Sequence, residues 1–183
     1  LSHLAKLGTS DNIEARDSLD VLASEFAFSK IGRAPAKFDE RDLLALNATL
    51  VHAMPFEAVK AQLEAISPEA ANERFWLAVR ENCQTVNDAK DFADIAYGQI
   101  EPIVDAEDQD FIKQASDLLP EGEINSETWK NWTGALKEAS GRKGRGLFMP
   151  LRKALTGQEH GPDMGVILPL IGREAVVRRL SKA

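Results

Sequence analysis

The sequence predicts an all-α fold, and three observations carry that expectation. Apolar residues recur at intervals of three and four along most of the chain, the spacing that gathers them on one helical face. Alternating runs of β-branched residues, the mark of half-buried strands, are absent. Ser, Asp and Asn, in places with Pro close behind, stand directly before the apolar stretches, where helices begin.

The elements follow in chain order. Asp17 and Ser18 cap a helix carrying Leu19, Val21, Leu22 and Phe26 and ending near Phe28. Asp39 opens a second through Leu43, Leu44, Leu46, Asn47, Leu50 and Val51, where Asp42 in the first turn complements the positive helix end. Pro55 starts a third through Val59, Leu63 and Ile66. Ser67 followed by Pro68 predicts the start of a fourth, which carries Phe75, Trp76 and Val79 to near Asn82. Asn87 and Asp88 lead into Phe92, Ile95 and Ala96. Glu107 to Leu119 forms a helix through Phe111, Ile112, Ala115 and Leu118, closed by Pro120. Asn125 or Ser126 caps the next, with Trp129, Trp132, Ala135 and Leu136, stopping before Gly141. The last third reads as three short helices, Leu147 to Leu155, Asp163 to Ile171 and Arg173 to Leu180, with Gly157 and Gly172 at helix ends. The softest boundaries are Ala53 to Phe56, Gln99 to Glu107 and Ser140 to Gly146.

Composition excludes several classes. The chain has 183 residues, 44% of them hydrophobic, enough for a core of one domain or two small ones. One cysteine makes no internal disulfide, and three scattered histidines with it make no tetrahedral metal cage. No stretch approaches the roughly 20 apolar residues that cross a bilayer, and Leu1 to Asp20 lacks the pattern of a secretory signal, so a cytosolic setting with Cys83 as a free thiol is expected.

The formal net charge of -7 hides a segregated pattern. Gly141 to Ala183 holds nine cations against three carboxylates, or +6, so residues 1–140 carry -13. Gln99 to Glu127 holds nine carboxylates and only Lys113 as a cation, a span that a phosphate backbone would avoid. The basic tail is the candidate anion-contacting region. Arg142, Lys143 and Arg145 lie in a glycine-interrupted loop, Gly141 to Gly146, that lacks the Gly-Lys-Ser/Thr ending of a nucleotide loop but suits close approach to backbone phosphates. A solvated surface turn explains the same residues.

No catalytic set emerges. Carboxylates abound, but none is flanked by a histidine, a nucleophile and oxyanion donors together. Cys83 reads as a packed, inert thiol, and His3, His52 and His160 show no ligand spacing. Trp129 and Trp132 share a helix face, which favours core packing over base stacking.

The segment Gly146 to Arg179 is the most specific. It reads Gly-Leu-Phe-Met-Pro-Leu-Arg-Lys-Ala-Leu-Thr-Gly, then Glu-His-Gly-Pro-Asp-Met, then Leu-Pro-Leu-Ile-Gly-Arg-Glu and Arg-Arg-Leu. It closely resembles the carboxy-terminal anticodon-binding region of bacterial glutamyl-tRNA synthetases. Gly32 to Asp39 with Leu43, Leu44, Leu46 and Asn47 resembles that family's connector, and Leu4 to Thr9 the segment after its catalytic lysine loop. The resemblance covers essentially the whole chain and is weakest over residues 99–140. The family's two catalytic signatures do not occur, and Ser29 to Arg33 is no substitute, so it implies a portion without the active site. No alternating strand and helix pattern of a nucleotide-binding sheet is present either.

The resemblance implies an organisation of connector helices over 1–54 and two helical subdomains over 55–106 and 107–183. It implies a role in recognising the anticodon loop of tRNA(Glu), with ATP and Mg serving the parent's catalytic domain and no cofactor in this portion. The partners it implies are that tRNA and the catalytic domain of the same enzyme, in a monomer. Arg152 matches the family's arginine in the Pro-Leu-Arg motif, and a guanidinium both stacks and donates in a fork. Gly161, Pro162 and Met164 match its second anticodon-facing element, although Gly161 stands where relatives place a hydroxyl residue and His160 beside it offers a ring instead. A third contact falls within Arg80 to Thr85, on Arg80 or on Gln84. Arg142, Lys143, Arg145 and Lys153 are the expected backbone cations. Two other readings stand beside this one: a helical protein-interaction module in which the acidic body docks a partner, and a freestanding enzyme.

Overall fold

The computed structural model describes residues 1–16, 18–33, 35–36 and 38–182. Asp17 of the expected first cap, and Ala34 and Lys37 of the connector motif, lie outside the described residues. Ten α-helices are present among the described residues: α1 (Ser2–Lys6), α2 (Leu19–Glu25), α3 (Glu40–Ala53), α4 (Phe56–Ile66), α5 (Glu73–Val79), α6 (Ala89–Tyr97), α7 (Gln109–Asp117), α8 (Thr128–Ser140), α9 (Arg145–Thr156) and α10 (Met164–Lys182). Short 3-10 turns link several of them. The only extended pairing among the described residues is an isolated bridge between Thr9 and Ile31, so the all-α expectation holds.

Local chemistry sets most helix starts. Ser18 accepts from the Asp20 amide and Asp39 from the Arg41 amide, as N-caps do. Asn125 accepts from the amides of Glu127 and Thr128 at 2.9 and 3.2 Å, and Asp163 from that of Gly165 at 2.7 Å. Two starts differ from expectation. Leu1 precedes a short α1 that the periodicity did not announce. Ser67 and Pro68 start only a 3-10 turn, Pro68–Ala70, because the Ser67 hydroxyl donates to Glu69 Oε2 at 2.6 Å instead of capping amides. Asn72 is the actual cap of α5, accepting from the Phe75 amide. Gly172, with φ 76 and ψ 159, splits α10 into the two helices expected there, and Gly157 ends α9 in the left-handed conformation.

One continuous cluster of buried side chains runs from Val51 to Leu180, and it includes Leu63, Phe75, Trp76, Phe92, Ile112, Trp132, Leu151 and Leu168. The indole of Trp76 donates to the Met54 carbonyl and that of Trp132 to the Ala115 carbonyl, both at 2.9 Å, so each ring buries its polar atom paired. α10 packs on α5 and α6 as well as on α7, α8 and α9, which makes the core continuous across residue 106. None of the described residues among 1–46 belongs to this cluster. Ion pairs link the first part of that segment: Lys6 with Asp11 and Glu25, Arg16 with Glu25, and Lys30 with Asp11. No helix among the described residues is long and apolar enough to cross a membrane.

Candidate nucleic-acid interface

Arg152 lies in the last turns of α9, half-exposed, and its Nη2 donates to the Pro162 carbonyl at 3.0 Å. Burial holds the guanidinium below its ordinary value, opposed by the nearby Asp163 carboxylate. No carboxylate among the described residues forms an ion pair with it, so its remaining donors are not consumed by an acid. The loop it grips is shaped by α9 on one side and α10 on the other: the Thr156 hydroxyl donates to the Arg152 carbonyl at 2.7 Å and accepts from the Gln158 amide, while Asp163 caps α10. A Cβ placed on Gly161, whose φ is 144, would stand 3.5 Å from Arg152 Nη1 and 3.7 Å from Phe92 Cε1. Phe92, from α6, is therefore a wall of this site that the sequence did not single out. His160 is exposed beside it.

The structure thus brings Arg152, Gly161 and Pro162 together, with Pro162 itself buried and its carbonyl taken by Arg152. It corrects the reading of Met164, which is 3% exposed within the core, so its side chain is not presented to a base in this conformation. Arg80 lies half-buried in the 3-10 turn Arg80–Asn82, with its Nε enclosed and unpartnered among the described residues. Gln84 is exposed in the following loop, its amide donating to Asp88 Oδ2 at 2.8 Å and its carbonyl accepting from Asn47. No hydrogen bond or ion pair among the described residues links Arg80 or Gln84 to the Arg152 loop.

The basic tail is not the free cationic surface that its composition suggested. Arg142 pairs with Asp108, also donates to the Gly146 and Glu107 carbonyls, and lies 4.4 Å from the centroid of the Phe111 ring. Proline at 150 has no amide to offer the Gly146 carbonyl one turn back, and Arg142 supplies the missing donor. Lys153 pairs with Asp105 at 2.7 Å, and Arg145 with Glu159 at 3.5 Å while remaining 77% exposed. Arg173 donates to the Pro120 and Gly122 carbonyls. Arg179, 2% exposed, donates to the carbonyls of Leu155, Ile95 and Gly98. Two carboxylates of the acidic span that seemed repellent to phosphate, Asp105 and Asp108, are counter-charges of the tail. Of the four expected backbone cations, Arg142 and Lys153 are committed to the fold, Arg145 is loosely paired, and Lys143 is exposed without a side-chain partner among the described residues.

Cys83 is buried, its thiol donating to the Val79 carbonyl at 3.4 Å and pushed up to about 12 by burial, which makes it the inert thiol expected. Trp132 is fully buried, while Trp129 is partly exposed and its ring lies 6.2 Å from that of Phe148.

Residues 48–183 match the anticodon binding domain family. The chain belongs to that family. The match begins three residues before Val51, where the continuous core of this anticodon-binding chain begins. Among curated relatives, glutamate--tRNA ligase 2 of Hyphomonas neptunium is 66% identical over 98% of this chain and 40% of its own length. Glutamate--tRNA ligase 1 of Maricaulis maris is 44% identical over 99% of this chain and 40% of its own. The anticodon-binding chain therefore spans about two fifths of these relatives. The solved glutamate-tRNA synthetase of Elizabethkingia anophelis has the same fold, with a TM-score of 0.73 and 22% identity over 98% of this chain and 38% of that one. The glutamate tRNA ligase of Elizabethkingia meningosepticum matches with a TM-score of 0.74, again at 22% identity, over 96% of this chain and 38% of that one.

Proposed function

We propose that this chain reads the anticodon loop of tRNA(Glu) for a glutamate-tRNA ligase whose catalytic portion, with ATP and Mg, performs the glutamylation. The observation that carries the reading is the bond from Arg152 to the Pro162 carbonyl, which joins the two most specific sequence motifs into one surface within a chain of the anticodon binding family. Splayed loop bases are recognised by edge hydrogen bonds and stacking on flat groups. Arg152 supplies a fork of donors, and Gly161 and Pro162 supply main chain at close range. Lys143 and Arg145 hold the RNA backbone, and Arg80 or Gln84 supplies the third base contact. In this reading residues 1–54 form the connector toward the catalytic portion, and 55–106 and 107–183 form two anticodon-facing subdomains built on a shared core.

Filter binding of glutamate, glutamine and unrelated tRNAs at two salt concentrations tests it. Cognate RNA is expected to bind more tightly than RNA with a mutated anticodon, and Arg152→Ala to cost roughly 1 to 3 kcal/mol, the range for a specific base contact. Equal binding of all three tRNAs, or an unaffected Arg152→Ala, sinks the proposal and favours the protein-interaction module.

A further inference from the structure

Phe148 is an exposed aromatic side chain on α9, with 44% of its surface facing solvent. It lies on α9 four residues before Arg152, so the two side chains rise from one helical face about 6 Å apart along the axis. Its ring is braced, at 38° and 6.2 Å, by Trp129 of α8. Trp129 in turn packs edge-on against Trp132 at 6.0 Å, and Trp132 is anchored through its indole to the Ala115 carbonyl. The aromatic row is therefore rigid at its inner end and open at its outer end.

The first turn of α10, directly after the loop that Arg152 grips, reaches this row. A Cβ on Gly161 would lie 3.5 Å from the Arg152 guanidinium, and a Cβ on Gly165 would lie 3.9 Å from Trp129 Cδ1. The guanidinium and the aromatic pair stand at the two ends of one short stretch of backbone. Packing against Trp129 alone would be served by a buried ring; an exposed flat ring one helical turn from a fork of donors is suited to a second, adjoining π surface. A loop nucleotide next to one engaged by Arg152 meets those requirements, since every base has a flat face and stacking tolerates any sequence.

We infer that Phe148, braced by Trp129, is a stacking platform for a nucleobase adjacent to the one held at Arg152. It is a positioning contact that adds affinity without discriminating between bases. The inference rests on the anticodon reading above.

The experiment uses the full 183-residue chain and short anticodon stem-loop RNAs, each carrying the fluorescent base 2-aminopurine at one loop position. The unsubstituted chain is expected to quench one position strongly. Phe148→Ala should abolish that quenching at saturating protein and weaken binding about 5- to 150-fold. Phe148→Trp should retain both. Phe148→Leu keeps apolar bulk against Trp129, so its fold is preserved, yet without a flat ring it should behave like Phe148→Ala; thermal melts verify that all variants are folded. If the unsubstituted chain binds through Arg152 while Phe148→Ala and Phe148→Leu match it in affinity and quenching, the platform is overturned and the anticodon reading survives. If the unsubstituted chain binds no stem-loop, both fall.

Discussion

The guanidinium of Arg179 reaches the carbonyl of Leu155 at 2.7 Å and, through its other terminal nitrogen, that of Ile95 at 2.7 Å. These carbonyls lie in the last turns of α9 and α6, where backbone acceptors lack helical partners and the helix dipole favours a cation. Burial pushes Arg179 down to about 10, so it stays protonated at neutral pH. One side chain on α10 thus ties together helices from both halves of the core.

Replacing Arg179 with Met keeps much of the stem but leaves two buried carbonyls and the part-buried one of Gly98 without their donor. Unsatisfied buried acceptors cost on the order of 1 to 3 kcal/mol each, partly relieved by relaxation. Arg179→Met is expected to lower stability by about 3 kcal/mol in denaturant unfolding, and a change below about 0.5 kcal/mol would refute the structural role.

Arg142 and Lys143 are neighbours with opposite expected behaviour. Arg142 is committed to Asp108, to two carbonyls and to the Phe111 ring, so Arg142→Ala should reduce stability by about 1 to 3 kcal/mol. Lys143 is exposed, so Lys143→Ala should leave unfolding unchanged while reducing the salt slope of tRNA binding by about 1. Paired unfolding and binding titrations separate the two; a reduced salt slope in both variants with no loss of stability would contradict the assignment.

What was legible in the sequence was local. Ser18, Asp39, Asn125 and Asp163 cap helices because their partners lie two or three residues on, within reach of any sequence reading. Ser67 misled because Glu69 competes for its hydroxyl. The charge pattern misled for the opposite reason: Arg142 meets Asp108 across 34 positions and Lys153 meets Asp105 across 48, pairings that only the packed bundle defines. Arg178 and Arg179 are adjacent in sequence and look alike, yet one is exposed and the other buried. Arg152 and Pro162 each stand in a quoted motif, but the bond between them is made only by the folded loop, and Phe92 comes to it from α6, outside both motifs.

The amino-terminal segment should be the acid-sensitive part. Lys30 and Lys6 hold the Asp11 carboxyl below its ordinary value, and Lys6 and Arg16 hold that of Glu25 down. Carboxyls with lowered folded-state values contribute stability that is complete above their ordinary values, 3.8 and 4.5, and is lost as the pH falls through the folded ones. Amide exchange in residues 1–33 is therefore expected to quicken as the pH drops below about 4, once corrected for intrinsic rates, while the core from Val51 to Leu180 stays protected. Simultaneous loss of protection in both regions would show that these ion pairs do not hold the segment separately.

Cys83 offers a probe of core opening. With its thiol buried and pushed up to about 12, alkylation by iodoacetamide near neutral pH requires the α5 to α6 region to open. Labelling should be orders of magnitude slower than for a free thiol and should accelerate sharply through the unfolding transition. Rapid labelling of the native chain would mean that this part of the core is not closed.

Gly161 has a backbone that gives a physical reason for a residue without a side chain at this point of the loop. At φ 144 it occupies a region that side chains with a Cβ rarely adopt, although the space around it allows ordinary contacts at 3.5 and 3.7 Å. The obstacle to a side chain is therefore backbone conformation and not crowding. Gly161→Thr should either strain the loop by about 1 to 3 kcal/mol or move it to a new backbone setting, and the second outcome would pull the Pro162 carbonyl away from Arg152. Unfolding of Gly161→Thr measures the strain, and stem-loop binding measures the displacement. If the variant is as stable as the parent and binds as tightly, the glycine conformation is not what holds Arg152 and Pro162 in register.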